Sequence, residues 1–124
     1  MTDATVVEQL IAKPSEQLAQ LAGGDAALLP ALVRAFPDSA SHVGYSLFDP
    51  SWIKAYGRHI LRAIGHARDT HSWNSSEETA VKVAILAIAD DLIKYLGLPK
   101  ASSFAAVALV ILIVRGLVTP GAQQ

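Results

Sequence analysis

The chain has 124 residues, 52% of them hydrophobic and 17% charged, with a formal net charge of −1 and no cysteine. That length suits one domain with a real core. The charge balance gives no global attraction for nucleic acid or anionic lipid, and the lack of thiols excludes disulfides, zinc–thiolate sites, iron–sulfur clusters and thiol nucleophiles. The chain is also short of polar surface for its size, a shortage that contact with another protein would relieve.

The first residues, MTDATVVEQLIAKP, have no basic start and no continuous apolar segment, so no secretion leader is expected there. Thr2 or Asp3 can cap a first short helix with Val6, Val7, Leu10 and Ile11 on its apolar side, stopped by Pro14. Ser15 is placed to cap a second helix, Glu16 to Ala22, with Leu18 and Leu21 inward. Gly23-Gly24 ends it, and Asp25 caps a third helix carrying Leu28, Leu29, Leu32, Val33 and Phe36 at helical spacing. Pro30 is awkward for that helix unless it lies near the start.

Residues 37–49, PDSASHVGYSLFD, fit no helix and read as a long loop, of the kind that is often functional. Asp49-Pro50 is a strong helix start, and the pattern predicts a helix to about Asp69. Its apolar face holds Trp52, Ile53, Tyr56, Ile60 and Ile64. Lys54, Arg58 and Arg62 stripe the opposite face, His59 and His66 lie on the boundary, and Gly57 and Gly65 leave room for a close neighbour. A polar loop with His71 and Trp73 follows.

Ser75 and Glu78 have capping-box spacing. The next helix, to Leu96, repeats Val81, Ile85, Ile88, Leu92 and Leu96 like a coiled-coil seam. Val83, Leu86, Ala87 and Ile93 mix with Asp90 and Lys94 elsewhere on it, which predicts cover on more than one side. Gly97 and Pro99 end it.

The last helix, capped by Ser102 or Ser103, contains FAAVALVILIV, Phe104 to Val114, uninterrupted by any polar residue. Those eleven residues would span about 16 Å as a helix, against a hydrocarbon core of roughly 30 Å. The run is therefore read as a buried central rod. Arg115 is assigned to its last turn and residues 119–124 to a frayed tail. The expected fold is all-α, a single compact bundle of about six helices over residues 1–118, with the apolar C-terminal helix at the centre.

No phosphate-binding glycine loop, dinucleotide fingerprint, zinc-protease helix or serine-hydrolase elbow occurs in the sequence. The stripe Lys54, Arg58, Arg62 is self-repelling unless an anion or acidic partner faces it; a solvated helix face is its plainest explanation. Asp90 and Asp91 interrupt an apolar stretch, where a carboxylate needs a partner such as Lys94, Arg62 or Arg115. His59 and His66 are too far apart on one helix to share a metal in the usual i, i+4 way, but would make a bordering interface pH-sensitive. Trp73 is either an interface anchor or a core residue. No metal and no cofactor are expected, and neither nucleic acid nor a small molecule is expected as partner.

The leading functional expectation is a non-enzymatic interaction module, an adaptor, regulator or immunity-type partner, in the cytoplasm and self-associating. Its candidate binding residues are Lys54, Arg58, Arg62, Trp73, Asp90 and Asp91. Two alternatives stand beside it. One is a helical hairpin that enters membranes, as a toxin or pore-former does. The other is a small ligand-binding or enzymatic bundle using His59, His66 and Asp90.

Overall fold

A computed structural model describes residues 4–36, 57, 59–65 and 78–122, with side chains for residues 5–36, 57, 59–65 and 81–115. Within them the fold is all-helical: α1 (Ala4–Ile11), α2 (Ser15–Gly23), α3 (Leu28–Ala35), a helical stretch at residues 59–63, α4 (Glu78–Leu96), a 3-10 turn (Lys100–Ser102) and α5 (Ser103–Ala122). The loop at 37–49, the helix start at Asp49-Pro50, Thr2, Asp3 and Ser75 lie outside the described residues.

The apolar rod is central, as its sequence requires. Every residue from Ala105 to Val114 is buried, most at 0–1% exposure. A segment apolar on all sides has no face to offer water, so it is stable only with neighbours all round. Here α1, α2 and α4 all pack against α5. Phe104 departs from the expectation. It is 47% exposed although Ser102, Ala105 and Ala106 around it are buried, so its side of the first turn is the one left uncovered.

Two polar ties fix how α2 lies on α5. Arg115 donates from Nη1 to Ser15 Oγ, the first residue of α2, at 3.1 Å. Ser102 donates to Asp25 Oδ2, just past the end of α2, at 2.9 Å. The two helices are therefore antiparallel neighbours, tied at opposite ends. Leu18 and Ala22 are the buried residues of α2, whereas Leu21, expected inward, is 40% exposed. With α5 presenting Ala105, Ala106 and Ala108 among its buried residues, the small Ala22 suits the close side.

Arg115 also differs from its expected role. The helix runs on to Ala122, into the stretch read as tail, so Arg115 is not in its last turn. Its Nη2 instead donates at 2.8 Å to the carbonyl of Ile11, the last residue of α1. A cation there satisfies an orphan carbonyl and opposes the partial negative charge of the helix end. Burial lowers the pKa of this guanidinium from its ordinary value. Arg115→Met should cost ~1–2 kcal/mol through these bonds, and Arg115→Lys should recover only part, because one ammonium does not reproduce the planar fork. Thermal melting of the three proteins checks this.

Local chemistry explains the remaining boundaries. Asp25 Oδ2 accepts from the amides of Ala27 and Leu28, so it holds the turn that leads into α3, while Ala27 rather than Asp25 takes the cap position itself. Pro30 falls at the third position of α3, in the first turn, where its missing N–H has no helical acceptor to lose. Pro14, not Ser15, holds the cap position of α2. At the end of α4, Gly97 takes φ +65° while Leu98 N–H donates to Ile93 O and Gly97 N–H to Lys94 O. This is a Schellman termination, and it turns the chain into α5. Both serines proposed as caps of α5 donate elsewhere, Ser102 to Asp25 and Ser103 to the carbonyl of Lys100.

The two glycines of the middle segment act differently. A Cβ on Gly57 would stand 3.1 Å from Ile113 Cγ2, so the absent side chain brings this segment close to α5. Gly57→Val should lose ~1–3 kcal/mol by overpacking, read as a lowered denaturation midpoint. Gly65 has nothing within 4 Å of an added Cβ and a φ of +85°. It follows the end of the helical stretch at Ala63 rather than receiving a neighbour; residues 66–69 of the expected helix lie outside the described residues.

Candidate functional site

Four sequence-named residues fall in the described part: His59, Arg62, Asp90 and Asp91. Lys54, Arg58, His66 and Trp73 lie outside it. His59 and Arg62 are exposed, and Asp90 and Asp91 are half-buried on α4, each held in an interaction rather than isolated.

On α4, at about 100° per residue, the buried residues Ile85, Ile88, Ala89 and Leu92 form one side. This is the seam that the spacing predicts. The opposite side carries Val83, 60% exposed, with Ala87, Asp90 and Lys94. The expected wider cover is therefore partial. Leu86 and Ile93 pack against the core from the flanks, while Val83 stays open to solvent. Lys82, beside the seam, reaches Glu8 on α1 at 3.8 Å, an exposed pair that contributes little to stability.

Phe36 meets two rings that no sequence spacing connects, His59 and Tyr95. Phe36 stands between them. Its ring is 5.6 Å from His59 in an edge-to-face arrangement and 6.1 Å from Tyr95, nearly parallel at 24°. Such pairs contribute ~0.5–1.5 kcal/mol beyond the area they bury. Phe36 is the residue after α3, where the backbone leaves the helix at φ −131° and ψ 72°. That exit delivers the ring into the core at 5% exposure. Tyr95 sits in the last turn of α4, off the buried seam, and is half exposed.

The cluster thus joins the ends of two helices to the middle segment. Its inner member is fixed, and its outer members face solvent. Asp91 lies one turn before Tyr95 on α4, and Arg62 one turn after His59, so charges of both signs border the aromatic surface. Tyrosine and arginine are the residue types that most often anchor protein contacts, since they combine large area with hydrogen-bonding capacity.

Other chemistry has less support from the geometry. Among the described residues no group of three or more His, Asp or Glu side chains is arranged to hold a metal. An open hollow is lined by Lys13, Gln17, Gln20 and Leu21 at the α1–α2 corner, not by His59 or Asp90. Among the described residues no helix is long and apolar enough to cross a membrane.

The site could have been suspected from Tyr95 alone, an aromatic with a polar tip beside the α4 seam. Its contact with Phe36, whose other side meets His59, required the tertiary fold. No family model matches the sequence, and comparison with curated proteins and with solved structures finds no similar protein.

Proposed function

We propose that the chain is a non-enzymatic helical interaction module, an adaptor or regulator, that holds a protein partner through the surface formed by Tyr95 and His59. The observation that supports this reading is the half-exposed Tyr95 ring stacked on a buried Phe36. A ring already held in place loses little conformational freedom on binding, so more of its contact energy appears as affinity. Asp91 and Arg62 at the border supply the mixed-charge rim that excludes water and selects the partner. The shortage of charged residues in the whole chain supports the same reading. The proposal places the module in the cytoplasm, and the protein it holds is a second copy or a different chain.

Immobilised wild-type protein should retain a reproducible set of partners from native lysate, or self-associate in light scattering as concentration rises. Tyr95→Ala should weaken that association at least ~10-fold, as for an interface anchor, with an unchanged circular dichroism spectrum. A wild type that stays monomeric and retains nothing refutes the proposal, as does association untouched by the Tyr95 substitution.

A further inference from the structure

We draw no further inference here: the strongest candidate, the outward strip of α4 formed by Val83, Ala87, Asp90 and Lys94, carries nothing because nothing in the structure shows what covers it, and the antiparallel register that sets Asp90 against Lys94 of a second copy leaves Val83 beyond the end of that copy's helix.

Discussion

Leu109→Ala should destabilise the protein by ~2–5 kcal/mol, the range for a fully buried leucine. Leu109 is 0% exposed and lies within the unbroken buried run of α5. The loss has two parts. The removed methyl groups forfeit their transfer free energy, and the space they leave persists unless neighbours close in. Closure is limited here, because α1, α2 and α4 all lean on α5 and none can move onto the gap without leaving its other contacts. Urea denaturation should show a lower midpoint with an unchanged slope, since the surface exposed on unfolding is nearly the same. Phe104→Ala is the informative comparison. Phe104 belongs to the same apolar run and is larger, yet it is 47% exposed, so its loss should be the smaller of the two. A Leu109 effect no larger than that of Phe104 would mean that the rod is not enclosed in solution.

The parts of this fold that sequence reveals are those governed by short-range rules. The seam Ile85, Ile88, Leu92 follows from helical periodicity. The turn that Asp25 holds before α3 and the left-handed stop at Gly97 follow from residues that offer an acceptor or tolerate positive φ. The errors fall where two local patterns compete or where a distant segment decides. Leu18 can share a face with either Leu21 or Ala22, and the approach of α5 selects the alanine. Gly65 looks like a packing glycine and instead follows the end of a helical stretch. Arg115 suits its own helix end because a cation there complements the dipole; its acceptors, Ile11 O and Ser15 Oγ, are about a hundred positions away in sequence. The candidate site divides in the same way. His59, Arg62, Asp90 and Asp91 are conspicuous as polar residues on apolar helices. The stacking that fixes Tyr95 depends on Phe36 from a different helix end, and no spacing in the chain links residues so far apart.

Asp25→Ala should cost ~2–4 kcal/mol, more than most caps, because one carboxylate oxygen serves two structures at once. Oδ2 accepts from Ala27 N at 3.0 Å and Leu28 N at 2.8 Å, closing the start of α3, and from Ser102 Oγ at 2.9 Å. Ser102 is 1% exposed. Losing the cap alone accounts for ~0.5–2 kcal/mol; stranding a buried hydroxyl adds ~1–3 kcal/mol, since water cannot replace the missing acceptor without opening the structure. The second contribution is separable. Ser102→Ala keeps the cap and leaves Asp25 bonded to two amides, so it should cost only ~1 kcal/mol. In the double variant no hydroxyl is stranded, and the combined loss should fall short of the sum of the singles by ~1 kcal/mol or more. Asp25→Asn retains a carbonyl oxygen at a position where asparagine caps well, and should be the mildest change at this residue. Strict additivity of the two alanine substitutions in urea denaturation would mean that the Asp25–Ser102 bond does not form in solution. The α3 cap and the turn into α5 would then be independent, and the antiparallel placement of α2 on α5 would rest on Arg115 and apolar packing alone.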